Sequence, residues 1–77
     1  MGVKKDMDKI LIIEDSPAQA EYLKSILGKD YEVTICLKGE DGYRKAKGEE
    51  FSLIFLDIIM PDVDGFTLLK KLQETIL

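Results

Sequence analysis

Apolar residues occur in short bursts separated by polar, turn-rich stretches, and the bursts alternate between two periods. Ile10-Leu11-Ile12-Ile13 is an unbroken aliphatic run between Lys9 and Glu14, the pattern of a strand buried on both faces. Ser16-Pro17-Ala18-Gln19 then reads as a helix start. Ser16 suits the N-cap, Pro17 the first helical position, and Gln19 completes a capping box. This helix is expected to bury Ala20, Leu23 and Ile26 or Leu27, and to stop at Gly28. Over residues 31–36 the period shortens to two, with Tyr31, Val33 and Ile35 set against Glu32, Thr34 and Cys36. That alternation marks a half-exposed strand. A short helix over 40–47 follows, weakened by Gly42 yet offering Tyr43 and Ala46 to the core. Residues 51–56 form a third, nearly all-apolar strand, and 60–65 form a turn. A last amphipathic helix over 66–77 places Phe66, Leu69, Leu72 and Ile76 on one side.

The order β-α-β-α-β-α predicts an α/β fold, a doubly wound parallel sheet with right-handed crossovers. Strands one and three are apolar on both faces and belong inside the sheet; strand two alternates and belongs at an edge. The expected strand order is therefore 2-1-3. This order brings the carboxyl ends of strands one and three together, where open α/β sheets bind ligands.

With 77 residues there is room for one domain, over 9–77, behind a partly basic lead-in of residues 1–8. A net charge of −4 argues against direct binding to nucleic acid through charge. Cys36 is the single cysteine and histidine is absent, which excludes a disulfide framework, cysteine metal clusters and histidine chemistry. No apolar run reaches the length of a membrane span, residues 1–9 lack a signal-peptide core, and Asp6 breaks the myristoylation pattern. The expectation is a cytoplasmic protein without membrane contact.

The candidate chemistry is acidic. Glu14 and Asp15 follow strand one and Asp57 follows strand three. Each has an ordinary explanation when taken singly: Glu14 and Asp15 favour the positive end of the first helix, and Asp57 forms a turn after a strand. At adjacent strand ends, however, three carboxylates repel one another and raise each other's pKa unless a cation is present. Mg²⁺, a hard ion that takes oxygen ligands, resolves that conflict. A carboxylate at its rim is then a competent nucleophile towards a phosphoryl group, giving an aspartyl-phosphate.

The stretch from Leu53 through Asp57, Met60, Pro61 and Asp64 to Gly65 resembles the signature of receiver domains of two-component response regulators. Residues 10–15 are similar to that family's first strand with its terminal acidic pair, and Gly39 to the glycine before its second helix. The resemblance implies a flavodoxin-like receiver fold and phosphorylation of Asp57 by a sensor histidine kinase, and not an enzyme acting on other substrates. It further implies Mg²⁺ held by Glu14, Asp15, Asp57 and the Ile59 backbone carbonyl. Met60 and Pro61 would shape the loop after the phosphorylation site, and Gly65 would let the chain turn into the third helix. Glu14 stands where Asp is more usual in the family, and its longer side chain would reach the ion through water.

The resemblance covers three of the family's five β-α units, so the domain is expected to be truncated. A Ser or Thr on the family's fourth strand and a Lys on its fifth have no counterpart here, and phosphorylation of this chain alone is expected to be impaired. The chain ends inside a helical pattern and reads as cut. Strand three would then present an unpaired edge, and a homodimer or larger oligomer through residues 51–56 is expected. The alternative function is a receiver-like interaction module that is not phosphorylated. A calcium loop at 60–65 is excluded by Met60 at its first position and Lys71 at its twelfth. An aspartate-nucleophile phosphatase is excluded because Ile59 stands where a second Asp is needed.

Overall fold

The computed structural model describes residues 7–57 and 64–76, the side chains of residues 75 and 76 excepted. Ile59, Met60 and Pro61, to which the resemblance gives roles, lie outside the described residues. Six elements alternate along the chain: β1 (Lys9–Ile13), α1 (Pro17–Leu27), β2 (Glu32–Cys36), α2 (Gly39–Gly48), β3 (Leu53–Leu56) and α3 (Gly65–Ile76). The three strands are parallel in the order β2-β1-β3, as the burial pattern of the sequence requires. β1 is central because Ile10, Leu11, Ile12 and Ile13 are all buried, so neither face nor edge of that strand tolerates water.

A core lies on each face of the sheet. Leu11 and Ile13 pack with Cys36, Ala46, Leu68 and Leu72 beneath α2 and α3. Ile10 and Ile12 pack with Ala20 beneath α1, with Leu23, Leu27, Val33 and Ile35 partly buried around them. β2 is thus covered on both faces in part, because Cys36 enters the first core while Val33 and Ile35 enter the second. It begins at Glu32, and the expected strand residue Tyr31 precedes it with 37% of its surface exposed.

α1 begins as the sequence predicts. Ser16 has extended backbone, its Oγ accepts the Gln19 N–H at 3.3 Å, and Pro17 opens the helix. Gly28 closes it with ordinary right-handed dihedrals, φ −68° and ψ −11°. Leu23 and Leu27 face the core while Ile26 is exposed, which settles that choice in favour of Leu27. In α2, Gly42 is buried and Tyr43 packs against the core, its ring flanked by Lys47 Nζ at 5.2 Å and Lys71 Nζ at 4.9 Å.

Two expectations fail. α3 buries Leu68 and Leu72, whereas Phe66 is 67% exposed and Leu69 37%. The buried face is therefore turned from the one the sequence suggests, and the side chain of Ile76 lies outside the described residues. β3 is not enclosed either. Its Ile54 and Leu56 face the α2–α3 core, but Leu53 and Phe55 stand beside Ile10 and Ile12 on the α1 face and are substantially exposed. Among the described strands, β3 pairs with β1 alone.

Candidate functional site

The parallel ladders run one residue past the strands, and that extension builds the site. Glu14 donates its backbone N–H to the Cys36 carbonyl at 3.0 Å, and Asp57 donates its own to the Ile13 carbonyl at 2.9 Å. Since Ile13 is paired with Leu56, the next residues, Glu14 and Asp57, emerge side by side at the carboxyl ends of β1 and β3. Asp15 follows on the short link into α1.

Glu14, Asp15 and Asp57 each present a carboxylate oxygen, and the three oxygens lie within 4.8 Å of one another. Glu14 and Asp57 are half-buried and Asp15 is exposed. Ile13, Glu14, Leu23, Phe55, Leu56 and Asp57 line a small cleft of about 110 Å³, so the carboxylates border apolar walls as well as solvent. Two larger hollows, of about 350 and 480 Å³, surround the C-terminal end of α2 instead. Both are lined in part by Gly48 and Glu49, the smaller also by Lys45, which pairs with Glu49 at 2.8 Å, and both lie apart from the acidic cluster.

The electrostatics of the cluster register at Glu14. Desolvation pushes its carboxyl above the usual carboxylate range, the Ser16 N–H pulls it back, and the negative charge of Asp57 with side-chain hydrogen bonds to Asp15 and Asp57 pushes it up again. The Ser16 N–H donates to Glu14 Oε1 at 3.0 Å. This bond joins the acidic cluster to the cap of α1, and the sequence reading did not foresee it; the visible cue is Ser16 two residues after Glu14 at a helix start. Asp64 was missed as a cap in the same way. It accepts the Phe66 N–H at 3.4 Å and the Thr67 hydroxyl at 2.8 Å. Gly65, expected to supply a turn conformation, lies buried at the first position of α3 without a positive φ.

The sequence matches the response regulator receiver domain family over residues 10–76. It is 36% identical over 67 residues to the transcriptional activator protein PfeR of Pseudomonas aeruginosa, covering 86% of this chain and 22% of PfeR. The response regulator protein TrrA from Thermotoga maritima, solved in complex with Mg²⁺-BeF, superposes with a TM-score of 0.86 at 30% identity. That match covers 91% of this chain and 62% of the TrrA chain. A CheY-like receiver domain protein from Methanospirillum hungatei JF-1 gives a TM-score of 0.86 at 36% identity, over 90% of this chain and 56% of the other. The chain thus spans less than a quarter of PfeR and somewhat over half of either solved receiver chain.

Proposed function

Because the chain belongs to the response regulator receiver domain family, we propose that Asp57 accepts a phosphoryl group from a sensor histidine kinase, with Mg²⁺ bound at the acidic cluster. One observation carries the reading: carboxylate oxygens of Glu14, Asp15 and Asp57 lie within 4.8 Å of one another at the ends of adjacent strands. Three hard oxygen donors at that spacing fit Mg²⁺, and the Glu14 carboxyl is raised chiefly by desolvation and further by the charge of Asp57. Glu14, Asp15 and Asp57 would hold the ion, with the Ile59 carbonyl as a further ligand. When bound, the ion offsets the charge that gathers on the transferring oxygens.

Asp57 supplies the nucleophile. One of its carboxylate oxygens attacks phosphorus, a P–O bond forms, and the P–N bond to the donor histidine breaks with its electron pair leaving on the imidazole nitrogen. Its backbone bond to Ile13 anchors the main chain from which the carboxylate extends. Met60 and Pro61 would shape the loop beyond it. Transfer is self-directed, so the domain signals rather than turning over substrate. Among the described residues no helix is long and apolar enough to cross a membrane. Together with the net charge of −4, this supports action in the cytoplasm without direct contact to nucleic acid. The exposed Leu53 and Phe55 on β3 further support self-association of this chain through residues 51–56.

Incubation with acetyl phosphate and Mg²⁺, followed by intact-mass measurement, tests the reading. The chain gains one phosphoryl group slowly, a chain of full receiver length gains it faster, and Asp57→Asn abolishes it in both. Failure of the longer chain to label would leave the second reading, an interaction module whose acidic cluster is unused.

A further inference from the structure

We propose that Glu14 is a positioning residue that couples the bound cation to the first turn of α1, because the carboxylate that faces Asp15 and Asp57 also holds the Ser16 N–H. The inference rests on the cation reading above and adds a direction of communication to it. A carboxylate offers about four lone-pair sites, so the 3.0 Å bond from Ser16 to Oε1 leaves capacity for an ion. Ser16 is in turn the N-cap of α1. Its Oγ accepts the Gln19 N–H and its carbonyl accepts the Ala20 N–H at 3.0 Å. A continuous set of contacts therefore runs from the acidic cluster, through one side chain, into the helix end.

The length of Glu14 gives this arrangement its consequence. Two methylenes separate its carboxylate from the backbone, so the group is placed by what it binds rather than by the strand alone. With no cation, the Ser16 N–H holds the carboxylate beside the like charge of Asp57. With a cation, both contacts hold it. Opening of the first turn swings Ser16 away and releases Glu14, and so competes with ion binding. Linkage makes the effect reciprocal: an ion that secures Glu14 secures the cap, and a loosened cap weakens the ion.

Solvent exchange of the Ser16 amide, followed by NMR on the whole chain with and without Mg²⁺, reads this directly. At an ion concentration about ten times its Kd, opening that requires release of the ion slows by up to about tenfold. The Gly28 amide, bonded to the Lys24 carbonyl at the far end of α1, is expected not to change. Glu14→Gln keeps the size of the side chain and its acceptor oxygen but removes the charge. It is expected to protect the Ser16 amide as the wild type does without ion, and to show no response to Mg²⁺. If Mg²⁺ shifts the Asp57 resonances while Ser16 exchange stays the same, the coupling is refuted and the cation site stands. If Glu14→Gln retains the full Mg²⁺ effect on Ser16, the coupling does not run through Glu14. If Mg²⁺ changes nothing at Asp57, both readings fall.

Discussion

A methyl group placed on Gly42 would lie 2.6 Å from Ile13 Cγ1 and 3.0 Å from Ile13 Cγ2, with Cδ1 closer still. Ile13 is fully buried, so it has nowhere to retreat. The sequence shows Gly42 only as a weakness in α2, where Ala in its place would gain about 1 kcal/mol of helix propensity. Packing reverses that sign, since forcing an extra group into a filled core costs about 1–3 kcal/mol. Gly42→Ala is therefore expected to lower the urea midpoint without changing the denaturant slope. A rise in midpoint matching the propensity gain would show that α2 can slide away from β1. Propensity is a property of one residue and is legible in a sequence; the partner that removes the space is not. Glu14, Asp15 and Asp57 were legible for the opposite reason. They follow strands whose pairing could be argued from burial, and the ladder bonds of Glu14 and Asp57 carry that pairing one residue further.

Among the elements, β1 and α2 are tied at their edges by Glu49. It accepts from Lys9 Nζ of β1 at 2.6 Å and from Lys45 Nζ of α2 at 2.8 Å. These two cations, Lys45 foremost, hold the Glu49 carboxyl down to about 2, against an ordinary value of 4.5. A carboxyl depressed in the folded state contributes stability that is present above its unfolded value and lost as pH falls through the folded one. The Glu49 contribution is therefore expected to fade between about 4.5 and about 2. Glu14 acts in the opposite sense: its raised carboxyl contributes stability at low pH that disappears as pH rises through the folded value. Thermal melts of wild type and Glu49→Gln across that range separate the two, because Glu14 is common to both. The variant is expected to be less stable at neutral pH and to converge on the wild type in acid. A constant difference at every pH would contradict the pairing. Element order and strand order were readable because an unbroken run such as Ile10 to Ile13 has to be covered on all sides. The face of α3 was not. Phe66, Leu68, Leu69 and Leu72 make that helix apolar over more than one face, and a 3.6-residue period cannot choose between stripes when both are apolar. The choice falls to Leu68 and Leu72, which pack with Leu11 and Ile13.

At the scale of the whole molecule, two faces differ in kind. Beneath α2 and α3, Ile54 and Leu56 of β3 pack partly buried against the core, whereas on the α1 side Leu53 and Phe55 remain 49% and 41% exposed. A parallel edge strand with apolar side chains on view is a template for a second chain, and a 77-residue chain has little stability to leave unspent at such an edge. The chain is expected to associate, and light scattering at micromolar concentration is the check. A folded species of single-chain mass, 8.7 kDa, would contradict it. Lys in place of Phe55, Phe55→Lys, is expected to shift the population towards monomer by placing like charges opposite one another across a paired edge. The central claim concerns the other end of the sheet, where three carboxylates are held together at an energetic cost that a cation relieves. Titration of the chain with Mg²⁺ while the NMR resonances of Asp15 and Asp57 are followed tests it most directly. The account predicts saturable shifts of both residues at millimolar ion, diminished in Asp57→Asn; a folded chain whose Asp15 and Asp57 resonances stay unmoved through that range would contradict it.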